Sequence, residues 1–262
     1  MYGAGTFIGV ITGSFITGLF SWRVTYMVLI PATCILLLCI WRYIGDDEPV
    51  NGHGSLDFAG FFSLLLFLLL SLVFFSLPTE DQIGFFGLLL LVSAVLVFGL
   101  FIRIERRASH PLADIQLMKR RPVAVFMVIG FLTVFTFFVL LQMMPYIIRL
   151  PSGLALSAEM VGLILIPGTL CDMVAGPLTG RMIPVIGCRL PCIIGSLLLL
   201  SAGCLLFLFP VTCAGLVIAW MIFSFGMSMV ATADLIGVLD FVGEERTAEA
   251  TGIIQSLSLI HI

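Results

Sequence analysis

Long apolar stretches separated by short polar segments fill nearly all of this 262-residue chain. A helix that crosses a bilayer needs about 17–25 mostly apolar residues to cover roughly 30 Å of hydrocarbon. Strands of a membrane barrel would be about 10 residues long with alternating polarity, whereas these runs are longer and apolar on every side. The pattern predicts an all-α polytopic membrane protein, a helical bundle with about eight transmembrane helices. The predicted spans are residues 3–20, 24–41, 58–77, 83–104, 123–148, 161–178, 190–209 and 211–233.

Composition points to the same lipid environment. Hydrophobic residues make up 61% of the chain and charged residues only 10%, too few to give each helix the polar face of a soluble bundle. The net charge is −3, so a nucleic-acid partner is not expected. Since little sequence lies outside the apolar stretches, function is expected to reside in the helices and their short loops.

Basic residues are sorted between alternate loops. Only Arg23 and Arg149 lie in one set of loops, and the remaining basic residues lie in the other. The positive-inside bias places the second set in the cytoplasm, together with both ends of the chain. We expect a multi-pass protein of the cell membrane whose main partner is the lipid bilayer. The second set is Arg42, Arg103, Arg106, Arg107, Lys119, Arg120, Arg121, Arg181, Arg189 and Arg246.

Polar residues inside the apolar stretches are the candidates for chemistry. Asp172 interrupts the sixth stretch, with Gly168 and Gly176 one helical turn to either side, so this face is expected to turn towards protein. An aspartate within the bilayer costs about 2.5–3.5 kcal/mol on insertion scales and usually pairs, takes a proton or meets substrate. A hydrogen bond between helices and a proton or substrate contact both stay open for Asp172. Gln142 is a weaker candidate, and Asp234 is expected to be solvated at the cytoplasmic end of the last span.

Cysteines and histidines do not form a recognisable site. Cys188 and Cys192 lie one turn apart, but no further ligand is near them in sequence, so no metal is expected. The histidines, His53, His110 and His261, all lie outside the apolar stretches. A membrane enzyme would need a nucleophile with its base, or metal ligands, within the bilayer. We therefore expect no catalytic residues, no cofactor and no enzymatic activity.

The first apolar stretch carries regularly spaced glycines. Gly5, Gly9 and Gly13 recur every fourth residue and therefore share one helix face. Small residues at this spacing let a second helix approach closely. We expect a closely packed face here, which would also suit a seam between two moving halves of a transporter.

The residues that follow give this segment a family resemblance. Gly9 and Gly13, followed by Trp22 and Arg23, resemble the antiporter motif of the major facilitator superfamily. The match is closest to its fourteen-span drug:proton antiporter family, whose motif reads Gly-Pro-x-x-Gly-Gly. The departures are Val10 and Ser14, which stand in place of the proline and the last glycine.

Three further segments resemble the same family. Residues 103–117, with His-Pro-Leu after an Arg/Glu cluster, are typical of the loop before its ninth span, and Asp57 with Gly60 resembles the start of its seventh. A third set resembles the cytoplasmic turn in which arginine and aspartate charges tie helix ends together. That set is Gly180, Arg181, Gly187 and Arg189, with Pro184 where the aspartate is expected.

The resemblance runs from about residue 9 to residue 255 and implies a function. It is typical of a secondary transporter that exports hydrophobic or cationic compounds in exchange for protons, by alternating access. The resemblance implies that the partners of this chain are a small-molecule substrate, protons and further helices of the same transporter, and that the transporter is bacterial. The eight spans would be the fifth to twelfth of fourteen. A transporter of another small solute and a membrane scaffold or sensor without transport activity remain alternatives.

The two ends of the chain bear on its organisation. Met1 precedes the first predicted span almost directly, so we expect an internal fragment, with residues 1–256 forming one incomplete transporter domain. Residues 257–262 resemble the translation of an adapter used in sequencing libraries. We expect that short segment to be an artefact without a functional role.

Overall fold

The computed structural model describes residues 2–43, 57–78, 82, 84–108, 119–151, 153–209 and 212–242. These residues form eight helices and no strand, so the predicted all-α class is confirmed. Seven of these helices are long and apolar enough to cross a membrane, while the apolar part of the first, Phe7–Leu19, is shorter. The helices are α1 (Tyr2–Leu19), α2 (Trp22–Tyr43), α3 (Phe58–Ser76), α4 (Phe85–Glu105), α5 (Arg121–Arg149), α6 (Ala158–Ile186), α7 (Arg189–Leu208) and α8 (Cys213–Val242).

Apolar side chains cover much of the outer surface of these helices. The apolar stretch of α2 has no buried residue, whereas half of the corresponding stretch of α8 is buried. Soluble proteins rarely expose apolar patches of this extent, because such patches drive association in water. Lipid chains solvate this surface instead, in agreement with the predicted polytopic membrane protein.

Two helices extend well past their predicted ends. The span predicted at 161–178 becomes α6, Ala158–Ile186, and the span predicted at 211–233 becomes α8, Cys213–Val242. Hydropathy marks where the chain leaves hydrocarbon, but a helix ends only where its last carbonyl groups find other partners. For α6 that point is Gly187, whose φ of 73° lets the chain turn as an L-residue rarely can.

The larger of two compact units contains α1, α2, α6 and α7 with residues 128–149 of α5 and 213–237 of α8. Within it, α1 packs on α2 and α6, and α6 packs on α7. Its hydrophobic core is centred on Trp220 and Phe223 of α8, whose ring centroids lie 5.8 Å apart. Met144 of α5 and Ile164 of α6 complete the centre of this core.

The smaller unit contains α3 and α4 with the adjoining ends of α5 and α8. Asp57 caps α3, because its Oδ1 accepts a hydrogen bond of 2.8 Å from the Gly60 backbone N–H. A Cβ atom on Gly60 would lie 2.9 Å from the Asp57 Cγ and 3.3 Å from the Glu105 Oε1. The Asp-x-x-Gly pattern therefore has a local cause, a carboxylate cap that needs a glycine opposite it.

Some predicted features lie outside the described residues. They include most of the segment that resembles the loop before the ninth span, and residues 257–262. The extent of the transporter domain, 1–256, stays a prediction. The individual residues outside the described part are His53, His110, Arg246 and His261.

Candidate substrate and proton site

A small polar face of α6 lies against α8. A Cβ atom on Gly168 would lie 2.9 Å from the Ser224 Oγ, and one on Gly176 would lie 3.3 Å from the Ser228 Oγ. Glycine at these positions lets the hydroxyl-bearing face of α8 approach α6. Asp172 lies between the two glycines, and we call this contact the α6–α8 seam.

A serine hydroxyl group of α8 contacts Asp172 in the α6–α8 seam. The Ser228 Oγ donates a hydrogen bond of 3.1 Å to the backbone oxygen of Asp172. Ser224 and Ser228 are buried, whereas Asp172 itself is half-buried. A carboxyl group in such a place, partly accessible and next to hydroxyl groups, can exchange a proton or meet a cation. Among the described residues no group of three potential metal ligands occurs.

Trp220 fixes one end of the seam. Its indole fills the space left by the missing side chain of Gly168, and its Nε1 donates a hydrogen bond of 3.0 Å to the Leu165 backbone oxygen. The ring also stacks on Phe137 of α5, with centroids 6.3 Å apart. The sequence has 23 phenylalanines and 3 tryptophans, and composition alone did not single out Trp220 among them.

Gln142 lies outside the seam. Its side chain is exposed on α5, seven residues before the helix ends at Arg149. The structure therefore does not bring together the two residues that the sequence nominated for contact with protons or substrate. Of these two residues, Asp172 is the one that lies in the polar contact between α6 and α8.

The glycine face predicted on α1 has no close neighbour among the described residues. A Cβ atom on Gly5, Gly9 or Gly13 would meet nothing within 4 Å, so the expected close approach of a helix at this face is not found there. The spacing of small residues identifies a smooth helix face, but it does not identify what packs against it. Trp22 begins α2, with its side chain outside the described part, and Arg23 is exposed beside it.

A neighbouring face of α1 makes the contact with α6. A Cβ atom on Gly162 of α6 would collide with the Ser14 side chain and lie 3.7 Å from the Val10 backbone oxygen. The Ser14 Oγ donates a hydrogen bond of 2.5 Å to that same oxygen. The two positions that depart from the antiporter motif are thus the ones that face α6 at Gly162.

The turn between α6 and α7 is shorter than predicted. Gly180 and Arg181 lie inside α6 and not in the turn itself, and a Cβ atom on Gly180 would meet nothing within 4 Å. Pro184 also lies inside the helix. Gly187 makes the turn with its positive φ, and Arg189 is the first residue of α7.

Sequence reasoning missed the burial of Asp234. The residue was expected to be solvated by water, but α8 continues past it, and its packing against α5 leaves it only 3% exposed. Its Oδ1 has no hydrogen-bond partner among the described residues. The apolar stretch 211–233 is followed directly by Asp234, and this pattern did not indicate that α8 continues to Val242.

Comparisons with known proteins identify the family of the chain. The profile of the Major Facilitator Superfamily matches residues 1–260. The chain therefore belongs to this superfamily, a class of multi-pass membrane transporters.

Several curated transport and resistance proteins are similar to the chain. The chain is 23% identical over 258 residues to the multidrug resistance protein Stp of Mycobacterium tuberculosis, a match covering 96% of this chain and 47% of Stp. It is 24% identical over 208 residues to the multidrug transporter protein MdtP of Bacillus subtilis, covering 79% of this chain and 38% of MdtP. It is 24% identical over 259 residues to the quinolone resistance protein NorB of Staphylococcus aureus, covering 95% and 54%. The chain spans about half the length of the curated relatives it matches.

Proposed function

We propose that this chain is part of a proton-coupled transporter that exports hydrophobic or cationic small molecules. The names of its relatives, two multidrug proteins and a quinolone resistance protein, support this class of substrate. In this mechanism two bundles of helices rock around a central site, which opens to each side of the membrane in turn. Because the match covers about half of each relative, transport by this chain would need helices from the remainder of such a protein.

The observation that carries the proposal is the position of Asp172. It is a half-buried carboxyl group inside a membrane helix, and the serine hydroxyl groups of α8 line the same contact. A carboxylate that binds either a proton or a cation can exchange one for the other as its surroundings change. Asp172 would thereby connect inward proton flow with outward movement of a cationic compound.

The proposed orientation follows the distribution of basic residues. We place both ends of this segment, and the exposed Arg106 and Arg107 after α4, on the cytoplasmic side of the cell membrane. A cysteine introduced at position 106 should then resist a membrane-impermeant maleimide in intact cells and react after the cells are opened. Equal labelling before and after opening would refute this orientation.

Dye efflux from bacteria tests the proposed transport. A complete gene containing this segment is expressed in a strain without its own multidrug pumps, and the cells are loaded with a fluorescent cationic dye. We expect efflux that a protonophore abolishes. Asp172→Asn should lower the initial rate at least about tenfold, equivalent to roughly 1.4 kcal/mol in the transport barrier.

The exposed Asp240 of α8 offers a matched control. Asp240→Asn removes the same charge from the same segment and should leave efflux unchanged at an equal amount of protein in the membrane. Efflux that persists in the presence of the protonophore would exclude proton coupling. Normal, pH-dependent efflux by Asp172→Asn would remove Asp172 from the mechanism.

A further inference from the structure

Asp234 of α8 is a second carboxyl group inside a membrane helix, and it faces α5. A Cβ atom on Gly130 of α5 would lie only 2.5 Å from the Asp234 Oδ2 and 3.4 Å from its Cγ. The carboxyl group thus takes the place of a side chain on the neighbouring helix. With 3% of the residue exposed and Oδ1 unpartnered among the described residues, protein encloses the group.

The group lies well inside both helices. Asp234 is eight residues before Val242, and Gly130 is nine residues after Arg121. At a rise of 1.5 Å per residue these separations correspond to roughly 12–14 Å along the helix axes. Asp234 is therefore more than two helical turns from the end of α8, where water would solvate it directly.

The groups around Asp234 do not compensate a negative charge. The thiol of Cys192, buried near the start of α7, interacts electrostatically with Asp234 and brings no positive charge. On α5 the carboxyl group faces Gly130, which has no side chain to donate a hydrogen bond. Within the described part of the chain, no basic side chain pairs with Asp234.

An ionised carboxylate in this position would be strongly disfavoured. Removing an unpaired charge from water costs far more than burying the neutral acid, which has one acidic proton and no net charge. In the arrangement seen here the neutral acid is therefore the favoured form. Ionisation needs water at the carboxyl oxygens, and a separation of α5 and α8 at Gly130 would admit it.

We propose that Asp234 is a proton-binding site, neutral while it faces Gly130 and ionised when α5 and α8 separate enough to admit water. Because protonation and separation are linked, each biases the other by the same free energy. The inference rests on the proton-coupled transport proposed above. It adds a carboxyl group distinct from Asp172, which occupies the α6–α8 seam.

Infrared spectroscopy of the chain in lipid nanodiscs tests the proposal directly, without a transport assay. A protonated carboxyl group has a carbonyl stretching band that disappears on ionisation. At neutral pH we expect a band in the wild-type chain that declines as the pH rises and is lost in Asp234→Asn. The control variant, with the exposed Asp240→Asn change, should keep the band. A band of full intensity in folded Asp234→Asn would overturn the proposal.

A second variant keeps the carboxyl group and changes only its pocket. Gly130→Ala places a methyl group against the Asp234 Oδ2, so the pH at which the band is half lost should shift by about one unit, a tenfold change in proton affinity. Gly99→Ala is the control, because a Cβ atom there meets nothing within 4 Å. An unchanged midpoint in Gly130→Ala would contradict the pocket described here.

The two proposals can fail separately. A protonated Asp234 band in the chain, combined with efflux by the complete protein that ignores the proton gradient, would support the site and refute proton-coupled transport. Proton-coupled efflux without an Asp234 band would support the transport function and refute the site.

Discussion

A close approach between α7 and α8 gives a stability prediction that can be worked out from distances. A Cβ atom on Gly195 would lie 2.6 Å from the Gly226 backbone oxygen and 2.6 Å from the Val230 Cγ2. On the facing helix, a Cβ atom on Gly226 would lie 2.7 Å from the Gly195 backbone oxygen. The two glycines thus meet backbone to backbone, and Gly195→Ala should force the helices apart.

The size of the effect follows from the missing space. Ordinary Cβ contacts begin near 3.4 Å, so the new methyl group is about 0.8 Å too close to the Gly226 oxygen. A backbone oxygen within a helix cannot rotate away as a side chain can, and the helices must separate by a similar distance. Overpacking of this kind costs about 1–3 kcal/mol, and we expect the upper half of that range, roughly 2–3 kcal/mol.

Reversible unfolding in mixed detergent micelles, followed by helical circular dichroism, measures this difference. The matched control is Gly203→Ala on the same helix, where a Cβ atom meets nothing within 4 Å. Alanine favours a helix over glycine by roughly 0.5–1 kcal/mol. This gain applies to both variants and cancels when they are compared.

A Gly195→Ala chain as stable as Gly203→Ala would refute the reasoning. It would show that the α7–α8 contact has room for a methyl group, and therefore that glycine is not required there. A loss of about 2 kcal/mol, close to a thirtyfold change in the folded-to-unfolded ratio, would support it.

Two other contacts give predictions of the same kind. Gly162→Ala should destabilise the chain by about 1–3 kcal/mol, because the new methyl group collides with Ser14. Adding Ser14→Gly should restore much of this loss. If the changes in unfolding free energy of the two substitutions are purely additive, the contact is contradicted. Gly60→Ala should displace the Asp57 cap and cost about 1–2 kcal/mol. Faster amide hydrogen exchange in the first turn of α3 would show this, and exchange unchanged from the wild type would refute it.

The helices themselves were largely predictable. Every predicted span corresponds to an observed helix, because a backbone in hydrocarbon must satisfy its own hydrogen bonds. The ends were less predictable, since α6 continues through Gly180 to a turn at Gly187. Composition changes at the membrane surface, but the helix ends where glycine allows a left-handed turn.

The candidate sites were predictable only in part. Asp172 was found because it interrupts an apolar run, and the structure places it in a polar contact as expected of such a residue. Asp234 was misread as solvated, because its burial depends on Gly130, 104 positions earlier in the chain. No local pattern in the sequence shows that these two residues face each other.

The sequence by itself determined the solvent of this protein, its helical class and the approximate place of each helix, because the thickness of the hydrocarbon layer and the need to pair every backbone group leave few alternatives. Only the tertiary structure decided which small residues meet. It leaves Gly9 and Gly13 without close neighbours among the described residues, and it brings Gly195 against Gly226. The physical reason is that apolar helix faces are chemically alike in lipid, so that shape and a few buried polar groups select the partner.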